Sequence, residues 1–219
     1  IKTQTKITTI KEENNHLNIL DSSGNSYSAD KVISTIPPNL LVNSVVFEPK
    51  LPENFTQLAK TTHTWMGESI KFAVEYKTPF WKQNHYSGTI FSQASIIQEM
   101  YDHSTATNCG FALKGFLNVG TAVLSKEDRK EKAIAQLTAF FGLEATDYVA
   151  YYENVWREEP LTFQPYEQLV LAHQNNGHSL FKNPLLNEKL YVSGAETATQ
   201  SPGYMNGAIF AAKTLASQF

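Results

Sequence analysis

Three features of the sequence predict an α+β fold with a mixed or antiparallel sheet and flanking helices. Polar and apolar residues alternate with a period of two in several stretches between residues 3 and 119, and again from Tyr148 to Trp156. A capped amphipathic repeat begins at Ser125, and a small-residue helix is expected from Tyr204 to Ser217.

Thr3 to Ile10 and His16 to Leu20 alternate as strands, and Asp21-Ser22-Ser23-Gly24-Asn25 supplies turn residues before Tyr27. This is a β-meander leading into Lys31 to Ile36, which Pro37-Pro38 halts because proline donates no ladder hydrogen bond. Pro49 and Pro52 bracket a second break, and Pro52 to Lys60 has the form of a short helix with proline in its first turn. From Gly67 to Tyr76, Ile70, Phe72, Val74 and Tyr76 share one face of a half-buried strand, with Ser69, Lys71, Ala73 and Glu75 on the other. Tyr86 to Ser92, Ser95 to Tyr101 and Gly110 to Val119 read as further strands of an antiparallel sheet. Ser125-Lys126-Glu127-Asp128 has capping-box form, Ala133, Ile134, Leu137, Phe140 and Phe141 follow at helical spacing, and Gly142 suits the helix end. Glu158 to Asn187 is irregular, and Leu190 to Ser193 is a last strand. There is no internal repeat and no low-complexity tract.

With 219 residues, at about 100–200 residues per domain, the chain holds one or two domains with a real core. A net charge of −3 without runs of Lys or Arg gives no electrostatic footprint for nucleic acid or an anionic membrane. The single cysteine, Cys109, excludes an intrachain disulfide and a Cys-based zinc cluster, and fits a reducing compartment, so a cytoplasmic location is expected. No apolar stretch approaches the roughly 20 residues of a membrane span. The chain opens at Ile1, directly in strand-like alternation, which reads as a piece of a longer protein. The six histidines show no metal-ligand pattern; His173 and His178 flank a polar Gln-Asn-Asn-Gly run and are expected at the surface. Neither a nucleophile elbow nor a Walker loop is present, so hydrolase and nucleotide-triphosphatase chemistry lack support.

The segment of greatest interest runs from Tyr191 to Ala208, YVSGAETATQSPGYMNGA. A strand ending in Gly194, small hydroxylated residues, then Gly203 and Gly207 opening an Ala-rich helix let a backbone approach a flat or anionic ligand. Tight strand-to-helix packing explains the same glycines without a ligand. The segment resembles the C-terminal flavin-binding motif of the flavin-containing amine oxidases. Asp30 to Pro38, Ser69 to Phe72, Tyr76 to Trp81 and Glu153 to Trp156 resemble the same family in the same order, so the likeness spans nearly the whole chain.

The resemblance implies the C-terminal portion of such an enzyme. Residues 1–60 and 159–219 would belong to a Rossmann-like FAD-binding domain and residues 61–158 to part of a substrate-binding domain. Family members carry an N-terminal Gly-x-Gly-x-x-Gly turn for the pyrophosphate of FAD; this chain has none, so weak or absent FAD binding is expected of it alone. Lys71 would hold a water against the flavin N5, where strand alternation by itself makes it a solvent-facing lysine. Tyr204 would be one of two aromatic rings flanking the substrate amine, with its partner shortly after Trp156, at Leu161, Phe163 or Tyr166. Trp156 would lie near the isoalloxazine, Ile7 would meet the adenine edge through its backbone, and Gly194, Ala195, Glu196, Gly203, Tyr204 and Met205 would contact the cofactor. The helix opening near Gly203 would aim its positive end at the flavin N1 and C2 carbonyl. No cysteine occupies the stretch where many monoamine oxidases attach flavin, so noncovalent FAD is implied.

Two functions follow. The first is an FAD-dependent oxidase that takes a small-molecule amine and O2, without nucleic-acid or membrane partners and compatible with a homo-oligomer. The second is a noncatalytic, diverged flavoprotein part acting as a binding module, which the missing glycine fingerprint favours for the chain as given.

Overall fold

Alternation in the first thirty residues builds the expected meander. In the structure, a computed structural model describing residues 1–107 and 109–219, β1 (Ile7–Glu13) and β2 (His16–Asp21) pair antiparallel. Asn14 and Asn15 join them at φ 48° and 67°, a left-handed turn that asparagine tolerates. β1 starts at Ile7, so residues 3–6 of the expected strand lie outside the ladder. β3 (Ser26–Ala29) pairs with β2 across a turn organised by Asp21. That carboxylate accepts the Asn25 side-chain amide, the N–H groups of Ser23 and Asn25 and the Tyr27 hydroxyl, each at 2.9 Å. These bonds, led by the Asn25 side chain, hold its pKa down at about 2.

β4 (Val32–Ser34) stops before the two prolines, and Pro38 then opens α1 (Pro38–Ser44), where the sequence indicated only a break. Proline's fixed φ suits the first helical position. β5 (Val46–Glu48) pairs parallel with β1 to complete a four-stranded sheet of order β3-β2-β1-β5, and α2 (Glu53–Lys60) follows Pro52.

Residues 66–159 form one compact unit, and residues 1–65 with 160–219 form the other. In the continuous unit, β6 (Ile70–Tyr76) buries Ile70, Phe72, Val74 and Tyr76 and leaves Lys71 exposed, as its alternation requires. After α3 (Phe80–Gln83), the strand expected over Tyr86 to Ser92 shrinks to β7 (Ile90–Phe91). His85 at φ 63° and a Tyr86 N–H bonded to the Trp81 carbonyl at 2.8 Å turn the chain there. β8 (Ile97–Asp102), β9 (Phe111–Leu117), α4 (Lys126–Phe141) and β10 (Tyr148–Val155) complete a wholly antiparallel sheet of order β10-β6-β9-β8-β7. The N-cap half of the expected capping box forms: Ser125 Oγ accepts the Asp128 N–H at 3.1 Å and donates to Asp128 Oδ2 at 2.6 Å. Ala133, Leu137 and Phe141 of α4 join the buried face of the sheet.

The returning segment contributes β11 (Leu190–Val192), parallel to β4, and α5 (Met205–Ala216). Its Phe181, Leu185 and Leu190 share a core with Leu17, Leu41 and Phe55, and Phe55 meets Phe181 edge-on at 5.8 Å. No helix of the described residues is long and apolar enough to cross a membrane.

Candidate functional site

Ser193 extends the β11–β4 pairing by donating its N–H to the Ser34 carbonyl at 2.9 Å, and the chain then leaves the sheet at Gly194. A small closed loop follows. Gly194 N–H donates to Thr197 Oγ1 at 3.0 Å, and Gly203 N–H donates to the Ala195 carbonyl at 2.9 Å. The loop delivers the chain to Tyr204, the N-cap of α5, which caps no amide of that helix with its side chain. The first-turn N–H groups of α5 therefore remain available to a ligand. Gly207 is needed for this fit, because a Cβ there would stand 2.2 Å from the Ser201 carbonyl oxygen. Sequence-predicted Gly194, Ala195, Glu196, Gly203, Tyr204 and Met205 thus meet at one loop-to-helix junction.

A groove of about 490 Å³ opens beside this junction, walled by Ile33, Thr35, Gly194, Ala208 and Ala212, with Glu196 at its edge. Glu196 is buried with no ion-pair partner among the described residues, and burial raises its carboxyl above the usual carboxylate range. Ile7 lies elsewhere in the same unit, at the start of β1 and half-buried against the apolar core.

Tyr204 is half exposed, and the rings packed on it are His173, stacked at 5.9 Å and 23°, and Trp65, tilted at 5.6 Å. His173 also stacks on Trp65 at 4.5 Å and 21°. The expectation that His173 sits at the surface is corrected: its Nδ1 is buried, and the polar run after it is a clamp rather than a solvated loop. Asn175 Nδ2 donates to the Thr61 carbonyl and hydroxyl, and Asn176 Nδ2 donates to the His63 carbonyl at 2.8 Å. Of the residues considered as partner ring to Tyr204, Phe163 is buried edge-on to Tyr166 at 5.7 Å, and Tyr166 Oη accepts the Thr64 N–H at 2.9 Å. Leu161 is exposed. No local signal marks Trp65 or His173 as neighbours of Tyr204, since the contact joins remote parts of the chain.

In the continuous unit, Lys71 stands on the exposed sheet face opposite Phe116 and Asn154. Its ammonium lies 5.5 Å from the Phe116 ring centroid and 5.9 Å from that of Trp156. Trp156 donates its backbone N–H to the Ser69 carbonyl at 3.0 Å, while its indole Nε1 is buried without an acceptor. Lys71, Phe116, Tyr101, Tyr152 and Asn154 line a groove of about 520 Å³ on this face.

A family model, flavin containing amine oxidoreductase, matches residues 1–218. The chain belongs to this family. Human amine oxidase [flavin-containing] B is 32% identical over 204 residues, which cover 88% of this chain and 38% of the relative. Putrescine oxidase of Kocuria rosea is 33% identical over 138 residues, covering 61% of the chain and 28% of that enzyme. Wild-type putrescine oxidase solved with bound putrescine superimposes with a TM-score of 0.82 at 27% identity, over 98% of this chain and 48% of its own. The chain therefore spans between about a quarter and a half of the length of these amine oxidases.

The residues present fit a flavin. The uncapped amides of α5, the small-residue wall and the sealed Glu196 carboxyl suit a flat ligand with carbonyl and hydroxyl groups. Within the continuous unit, the Trp156 indole N–H is buried without an acceptor, and the Lys71 ammonium lies 5.9 Å from its ring centroid.

Proposed function

We propose that the complete protein is an FAD-dependent amine oxidase that holds FAD noncovalently, with residues 1–60 and 159–219 serving the cofactor and 61–158 the substrate. The observation that carries this reading is the junction at Gly203 and Tyr204. There a half-exposed aromatic ring stands beside the unmet amides of α5, in a chain of the amine oxidase family. FAD, when bound, would supply two-electron redox chemistry, by which an amine would be oxidised to an imine through loss of a hydride equivalent and a proton, and O2 would be reduced to hydrogen peroxide.

The chain's own residues bind and orient. Gly194, Ala195, Gly203 and Met205 let backbone approach the cofactor, and Glu196 offers a hydrogen bond from a sealed position. Tyr204 presents a π-face that selects and orients an amine nitrogen. The Lys71 ammonium stabilises negative charge that develops when reduced cofactor meets oxygen. The only cysteine, Cys109, lies in the continuous unit, between β8 and β9 in the sequence.

The test is anaerobic titration of the complete protein with a panel of amines, followed in the visible flavin band, and then readmission of oxygen. Bleaching by an amine and recovery in oxygen with peroxide release is the expected result. Lys71→Met should leave bleaching intact and slow recovery by about 10²-fold, the cost of removing one charge-stabilising donor. A protein that stays colourless with added FAD would replace the oxidase reading with that of a binding module.

A further inference from the structure

We propose that His173 is a positioning residue that sets the plane of the Tyr204 ring, so that Tyr204 meets its ligand as a fixed wall. The inference rests on the amine-oxidase reading for what Tyr204 touches, and on the geometry alone for what holds Tyr204. The Tyr204 hydroxyl has no hydrogen-bond partner among the described residues, and the side chain is half exposed, so its orientation must come from ring packing. His173 supplies the near-parallel face, at 23°, whereas Trp65 meets Tyr204 at 43°. Trp65 also lies nearly flat against the imidazole, at 21° and 4.5 Å, so the three rings pack as a mutually touching triad.

His173 is itself locked. Its backbone sits in the left-handed region at φ 61°, and its N–H donates to His63 Nδ1 at 3.2 Å. The residues after it are stitched to the segment just before Trp65: Gln174 Nε2 reaches the Thr61 carbonyl at 3.3 Å, and His63 N–H donates to the Gln174 carbonyl at 3.0 Å. The two outer supports of the stack, Trp65 and His173, therefore ride on two interlocked segments. Gly203 admits the imidazole: a Cβ there would stand 3.3 Å from His173 Nδ1 and 3.1 Å from Trp65 Cβ. That approach buries Nδ1 without a partner, so this edge of the ring gives up hydration and gains only shape. A flat ring packed near-parallel to both Trp65 and Tyr204 at the expense of a buried nitrogen is placed for its plane.

The variants that separate plane from polarity are His173→Phe, which keeps a ring, and His173→Asn, which keeps a polar side chain and loses it. Two readouts are made on each. The first is the near-ultraviolet circular dichroism of the protein without amine, in which Tyr204→Leu identifies the contribution of the Trp65-His173-Tyr204 stack. The second is the KM and kcat for amine in the complete, flavin-loaded protein. His173→Asn should lose the dichroism signature and raise KM about tenfold with kcat changed much less, as expected when an aromatic pair worth of order one tenfold step is lost. His173→Phe should restore both. A bleachable protein whose His173→Asn variant keeps the signature and KM overturns the role of His173 alone. So does a His173→Phe variant that is no better than His173→Asn. A wild type that no amine bleaches overturns the amine-oxidase reading instead, while the dichroism still reports whether His173 orders Tyr204.

Discussion

The network beneath α4 in the 66–159 unit and the loops over 171–205 treat their polar groups differently. Beneath α4, Arg129 donates through Nε and Nη2 to Glu153 Oε1 at 3.0 and 2.7 Å, and Tyr151 donates to Glu153 Oε2 at 2.8 Å. Arg129 Nη1 covers the carbonyls of Thr121, Ala122 and Leu124, in the turn that leads into α4. Gln136 both donates to and accepts from the Ile97 backbone, at 3.1 and 2.7 Å. Around the 171–205 loops the opposite holds: Glu196 is buried without an ion pair, His173 Nδ1 and Asn176 Oδ1 have no partner, and α5 begins without a side-chain cap. The network beneath α4 satisfies its polar atoms, although the fully buried Trp81 Nε1 of the same unit has no acceptor; the 171–205 loops leave bonding capacity open beside the candidate site. Among the described residues of the 66–159 unit two buried indole N–H groups lack an acceptor, that of Trp81 in the apolar core and that of Trp156 near Lys71.

The contrast can be broken most forcefully at Arg129. Arg129→Met leaves the Glu153 carboxylate buried and unpaired and should cost about 3–5 kcal/mol, read as the loss in free energy of chemical denaturation. A loss within experimental error would show that the ion pair is not what joins α4 to β10. Next comes Gly203→Ala, which forces a Cβ into a residue at φ 82° and should cost about 1–2 kcal/mol. It should also disturb tryptophan emission through Trp65, whereas normal stability would mean that the loop is free to move aside. The smallest effect is expected at Glu196. Burial makes the folded state hold this proton more tightly than the unfolded state does, so the associated stability is present below the ordinary glutamate value, about 4.3. It is lost as pH rises through the raised folded value. Glu196→Gln should therefore match wild type in mild acid and melt higher than wild type at neutral pH. Parallel melting curves across pH would show that the Glu196 carboxyl is solvated after all.

Local physics made much of this fold legible from sequence. The N-cap at Ser125 forms because its partner is three residues away, and β6 follows its alternation residue by residue. Turn residues placed the meander, apart from the late start of β1. What stayed hidden depends on remote pairing: β5 lies parallel to β1, β11 lies parallel to β4, and neither short strand announces its partner. The candidate site divides in the same way. The glycines and Tyr204 stand in one contiguous motif, whereas His173 looked solvated because the sequence shows Gln174, Asn175 and Asn176 as polar neighbours. It does not show Thr61 and His63, to which those amides bond.

The pairing of residues 32–34 with 190–192 also imposes an order of events during synthesis. Once Val155 has been made, the 66–159 stretch has every strand of its sheet and the helix that covers it, so it can mature at once. Leu17, Leu41 and Phe55 must wait for Phe181, Leu185 and Leu190 to emerge before their shared apolar core can close. The unit that contains Tyr204 is thereby the last to close, and a nascent chain stalled before residue 190 would present that unfinished core to chaperones and proteases.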